Sequence, residues 1–192
     1  MYSERQQQII DEAVNLIDEK GIQGLTIKNL SKKIGISEPA LYRHFDSKTD
    51  ILLSILKDFK EMAIILGNVL DKMEGTTLEK INLMFSSLLE LFSETPSMVS
   101  VIFSEEIFKN EKILKDGIIE IMNLHAQTLE KIIESGQADN TIRNDIDKNH
   151  LSLMVMGSIR LFVKKWDLNN YSFDLKMEGK KLIAVLSLII GI

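Results

Sequence analysis

Apolar side chains recur along most of this chain at three- and four-residue intervals, and nowhere do they alternate singly over a strand's length. That period predicts an all-α protein. Ser3 stands ready to cap a first helix with Gln6 in the capping-box position, Ile9, Ala13, Leu16 and Ile17 form its stripe, and Gly21 ends it. Thr26 caps a second helix with apolar positions Ile27, Leu30 and Ile34. Gly35 closes it in the left-handed conformation, and Ile36 folds back as a hydrophobic contact. Ser37 caps a third helix, Glu38 to Phe45, with Pro39 in the first turn, where its missing N–H costs nothing. At about 100° per residue, Leu41 and Phe45 share its buried face. Pro39, Ala40 and Arg43 point the opposite way, with Tyr42 and His44 on the flanks. Leu25, Leu30, Ile34, Leu41 and Phe45 pack with the first stripe into a three-helix domain over residues 1–46.

Residues 47–192 form a larger helical domain, bringing the total to about nine helices. Ser47 caps a fourth helix from Lys48 to Lys72 whose first turn belongs to the N-terminal domain. Helices follow over Leu78 to Glu94, Pro96 to Asn110 and Glu111 to Ser135, where Gly136 is the stop. The polar stretch 137–147 is a loop. The last two helices, Lys148 to Asp167 and Phe173 to Ile190, carry an apolar surface wider than one neighbour covers: Leu151, Met154, Val155, Ser158, Phe162, Leu182, Val185, Leu186 and Ile189. In the middle helices, Met62, Met84, Phe85, Met98, Phe103, Phe108 and Met122 are either ordinary core or the adaptable lining of a pocket for an apolar small molecule. His125 and the pair Glu105 and Glu106 are the polar groups that could orient one.

Composition changes the picture in two places. The chain of 192 residues carries a formal net charge of −5, which by itself argues against a nucleic-acid partner. Residues 26–48, however, hold five basic against two acidic side chains, so positive charge is concentrated where the third helix lies. Lys32 and Lys33 read as a solvated helix face. Absence of cysteine excludes disulfides and thiolate metal sites. No Gly-rich phosphate loop, no G-x-S-x-G elbow and no helical histidine pair is present, so no catalytic residue, metal site or cofactor is expected. The opening residues are polar, and the longest apolar run falls well short of the roughly 20 residues that span a bilayer. A cytoplasmic protein without membrane contact is the expectation.

Two short helices joined around a glycine, the second bare of core residues on one face, make a helix-turn-helix suited to the major groove. At these residues the chain resembles the TetR family of bacterial transcriptional regulators. The pattern comprises Thr26, Leu30, Gly35, Ile36, Ser37, then LYRHFDSK from Leu41 to Lys48, with Ile51 and Leu52 beginning the next helix. The resemblance covers about a quarter of the chain. It implies phosphate or base contacts at Thr26, Lys28, Ser37, Tyr42, His44 and Lys48, and sequence readout at Glu38, Pro39 and Ala40. Ala40 departs from polar readout and offers only a methyl, which suits a thymine methyl. The resemblance further implies a homodimer formed by the last two helices, a palindromic double-stranded operator and an apolar effector. A helical adaptor or effector-independent architectural DNA-binding protein is the alternative.

Overall fold

A computed structural model describes residues 2–103 and 111–191 and contains, among them, nine helices. They are α1 (Glu4–Gly24), α2 (Ile27–Ile34), α3 (Glu38–Tyr42), α4 (Lys48–Lys72), α5 (Thr77–Glu94), α6 (Ser97–Ile102), α7 (Lys112–Ala138), α8 (Lys148–Leu168) and α9 (Leu175–Ile190). The all-α expectation holds: β pairing among the described residues is confined to one bridge, between Ile142 and Gly191.

Helix starts follow the polar punctuation. Ser3 and Gln6 complete a reciprocal capping box on α1, and Thr76 with Glu79 does the same on α5. Asp147 caps α8 and Asp174 caps α9 through their carboxylates. Glycines were less reliable stops. Gly21 does leave helical geometry, with φ 67°, but one more turn follows to Gly24 and tucks Ile22 into the core. Gly136 does not end its helix at all. It lies within α7 because the chain needs space there: an added Cβ would stand 2.4 Å from Ile142 Cγ1 and 2.7 Å from Thr77 Cγ2. The helix closes afterwards, as the amides of Thr141 and Ile142 return to the Gly136 carbonyl at 2.8 and 2.9 Å.

The chain forms two compact units, Met1–Glu61 with Ser97–Glu120, and Met62–Pro96 with Ile121–Ile192. In the first, the α1 stripe packs on α2 and α6, and α2 in turn on α3. Ile9, Ala13, Leu16 and Ile17 meet a core that includes Leu25, Leu30, Leu41, Ile51 and Val99, all essentially sealed from water. In the second, α9 lies along α5 and beside α8. Its core draws on Ile81, Phe85, Leu89 and Phe92 from α5, Val155 and Val163 from α8, and Ile183 and Ile190 from α9. The segment after α7 fastens this end. Gln137 Nε2 donates to the carbonyls of Arg143 and Ile146, both at 2.8 Å, and the Arg143 amide donates to Ile190 O at 2.9 Å.

The packing at Gly136 sets a sign. Alanine would gain about 1 kcal/mol in helix propensity, but overpacking a filled contact costs about 1–3 kcal/mol. Gly136→Ala should therefore lower the urea midpoint of unfolding at unchanged slope. A midpoint at or above that of the unsubstituted protein would mean that Thr77 and Ile142 yield freely.

Candidate nucleic-acid interface

The local geometry of residues 26–50 is built from caps. The Asn29 amide donates to Thr26 Oγ1 at 3.1 Å, and Asn29 Nδ2 donates to Gly24 O at 2.9 Å, so α2 is fastened at its start. At its end Gly35 has φ 78°, a conformation open to glycine at little cost. The amides of Gly35 and Ile36 both close on Ser31 O, at 2.9 and 3.0 Å. Ser37 then caps α3, accepting from the Ala40 amide at 3.3 Å, with Pro39 in the first turn. Helix α3 is shorter than the periodicity suggested. It runs to Tyr42, and the amides of His44 and Phe45 both return to Leu41 O, one tighter turn that carries the chain out. The Asp50 amide donates to Ser47 Oγ at 3.1 Å, so Lys48 opens α4 as expected.

Burial sorts the α3 side chains as the angular reading anticipated. Leu41 is 0% exposed and Phe45 is buried, whereas Tyr42 is 49% exposed. Glu38, Pro39 and Arg43 are exposed beside it, with Ala40, His44 and Lys48 half-buried. Thr26, Lys28 and Ser37 are exposed on the same stretch of chain. Charge is sorted too. Lys33 donates to Glu19 at 2.5 Å and lies 3.6 Å from Glu12, and the bond to Glu19 holds its pKa above the usual lysine value. Its charge is occupied by α1. Lys28, Lys32, Arg43 and Lys48 make no salt bridge among the described residues.

The pocket candidates differ in burial. Met84 and Phe85 are buried in the second unit, Met98 is buried in the first, and Phe103 is half-buried there. Met62 and Met122 are exposed, so neither is ordinary core. Phe108, with Glu105 and Glu106, lies outside the described residues. His125 is half-buried on α7 with Nδ1 3.1 Å from Ile121 O, and its burial holds the imidazole below its ordinary pKa.

The last two helices divide similarly. Leu151, Val155 and Leu186 point into the subunit's own core, because α8 and α9 each turn one edge of a wide apolar face inward. Met154, Val185 and Ile189 are exposed, and Ser158, Phe162 and Leu182 are half-buried. Leu161, an apolar position of α8 in the sequence reading, is 72% exposed, and that reading missed Leu188 at 83% together with Leu153. Their signal was present in the sequence as apolar residues lying one step around the helix from the chosen stripe.

Two family models match the chain in succession. Residues 9–55 match the family described as bacterial regulatory proteins, tetR family. Residues 59–191 match the YsiA-like protein, C-terminal region. A fatty acid metabolism regulator protein of Bacillus subtilis (strain 168) is 26% identical over 185 residues, covering 93% of this chain and 92% of that protein. The nucleoid occlusion factor SlmA of Vibrio cholerae serotype O1 is 25% identical over 157 residues, 81% of this chain and 80% of that one. Among solved structures, the transcriptional regulator FadR from Bacillus subtilis in complex with stearoyl-CoA superposes with a TM-score of 0.80 at 24% identity, over 94% of this chain and 97% of that chain. That likeness establishes the fold.

The cap that starts α3 has a measurable weight. Ser37→Ala should cost about 1 kcal/mol of stability, read as a lowered thermal midpoint, and Ser37→Asp should restore it. Equal midpoints for all three proteins would mean that the bond to the Ala40 amide contributes nothing.

Proposed function

We propose that this chain, which belongs to the TetR family of bacterial regulatory proteins, is a dimeric transcriptional repressor that releases its operator on binding a fatty-acyl thioester. One observation carries the DNA reading: α3 and the turn after it bury Leu41 and Phe45 and leave Glu38, Pro39 and Arg43 exposed with Tyr42 half-exposed beside them. A helix so mounted lies in the major groove with short side chains at base edges. In this reading Glu38, Pro39, Ala40 and Arg43 face the bases, while Thr26, Lys28, Ser37, Tyr42, His44 and Lys48 hold phosphates. Two copies pair through the exposed apolar side chains of α8 and α9: Met154, Val185 and Ile189 with Leu153, Leu161 and Leu188. Gly157, with nothing within 4 Å of an added Cβ, leaves room for a close neighbour. A two-fold dimer reads a palindrome with half-sites separated by whole helical turns.

The effector class rests on the relatives. The similar Bacillus subtilis protein is named for fatty acid metabolism, and its structural counterpart holds stearoyl-CoA. The apolar side chains Met62, Met84, Phe85, Met98, Phe103, Phe108 and Met122, with His125 as a polar contact, are the candidate lining for an acyl chain. Coupling needs about 1–3 kcal/mol between effector and operator. Helix α4, continuous from Lys48 to Lys72, begins beside the reading helix and is the element through which that coupling would pass. The protein acts in the cytoplasm as a regulator rather than an enzyme. No described helix is long and apolar enough to cross a membrane. The similarity to the nucleoid occlusion factor favours a second reading, an architectural DNA-binding protein that answers to no effector.

Selection of bound fragments from a random DNA pool tests the first part. One palindromic sequence should be enriched, and Lys48→Ala should weaken binding to all sequences and lower the salt slope by about one. Unchanged affinity and slope would remove Lys48 from the phosphate contacts. Adding stearoyl-CoA to the complex with the enriched fragment should lower operator affinity about fivefold or more. Release by neither that thioester nor shorter-chain ones would move the architectural reading ahead.

A further inference from the structure

Helix α3 spans five residues, so its final carbonyls have no partner within the helix and its direction must be set from outside. Two residues past its end, in the tight turn that carries the chain out, His44 O accepts a hydrogen bond from Gln6 Nε2 at 3.3 Å. The other end of the same amide is also used, because Gln6 Oε1 accepts from the Ser3 backbone N–H at 3.0 Å as half of the α1 capping box. The side chain is half-buried and held at both ends, and it bridges the start of α1 to the turn that follows α3.

The platform it reaches from is itself anchored. Ile9 and Ile10, one turn further along α1, are buried. Tyr2, just before the cap, donates its hydroxyl to Ser54 O at 3.4 Å, and the Lys57 ammonium lies 5.8 Å over its ring. The first turn of α1 is thus tied to α4, and Gln6 carries that fixed position to the point where Tyr42, Arg43 and His44 leave α3.

We infer that Gln6 is a positioning residue for operator recognition: it touches no base or phosphate, and sets the direction of the reading helix through the His44 carbonyl. This rests on the operator reading given above. Its effect belongs to the difference between specific and non-specific binding, because a tilted α3 loses base contacts while the phosphate attraction persists.

Two variants separate positioning from simple helix capping. Gln6→Glu keeps an acceptor for the Ser3 N–H, and glutamate is favoured at that capping-box position, but it has no donor for His44 O. Ser3→Ala weakens the cap and leaves the bond to His44 in place. Each is compared with the unsubstituted protein on the palindromic fragment enriched from the random pool and on a scrambled fragment of equal length. The ratio of the two affinities cancels the charge that glutamate introduces. Gln6→Glu should lower that ratio about fivefold, the worth of one hydrogen bond, with a thermal midpoint unchanged or raised. Ser3→Ala should lower the midpoint and keep the ratio. A ratio unchanged in Gln6→Glu overturns the inference alone, as does a ratio that falls in step with the midpoint in both variants. If the unsubstituted protein enriches no sequence, the operator reading falls and the inference with it.

Discussion

The recognition end of this protein depends on one constraint, the burial of Leu41 on a helix too short to be stable by itself. Five residues form barely more than one turn, and an isolated turn does not offset the entropy of fixing it. What holds α3 is therefore external: Leu41 and Phe45 in the core, Ser37 at its start, and the left-handed Gly35 that sets the angle of entry. Once Leu41 is fixed inward, helical geometry leaves no choice about Pro39 and Arg43. They must face water, or whatever replaces it. The functional face is the geometric complement of a packing decision.

Electrostatics refines that face. A chain of net charge −5 approaches DNA only if its cations are collected and left unpaired where they are needed. The structure shows how local this sorting is. Lys33 is bound by Glu19 and Glu12 of α1, and Lys28, Lys32, Arg43 and Lys48 remain without salt bridges among the described residues. Few cations per subunit make a dimer more than an architectural convenience. Doubling the phosphate contacts doubles the electrostatic contribution that a single copy supplies weakly.

In the second unit, α8 and α9 show what a wide apolar face means. A helix that packs on neighbours along one edge covers only part of such a face, and the rest stays exposed. Leu161 and Leu188 are among the most exposed apolar side chains of the described residues. Exposed leucines in that number are costly to leave in water, which is what the proposed pairing of two copies through these helices would relieve.

The sequence by itself determined the helical class, the caps of the first four helices, and which side of the third helix turns inward. These are local matters, decided by period, by side chains that bond to their own backbone, and by the left-handed freedom of Gly35. Tertiary structure decided what sequence cannot encode within one turn of helix. Gly136 reads as a stop but serves as a gap for Thr77 and Ile142, which lie far away in sequence or across a turn. Leu151 and Val155 read like Met154, yet they point inward because of where α8 meets its neighbours. Gln6 reads as a capping residue, and only folding brings His44 to its amide, 38 residues on. In each case the deciding partner is distant along the chain, and a periodic pattern carries the direction of a side chain relative to its own helix, not the identity of what it meets.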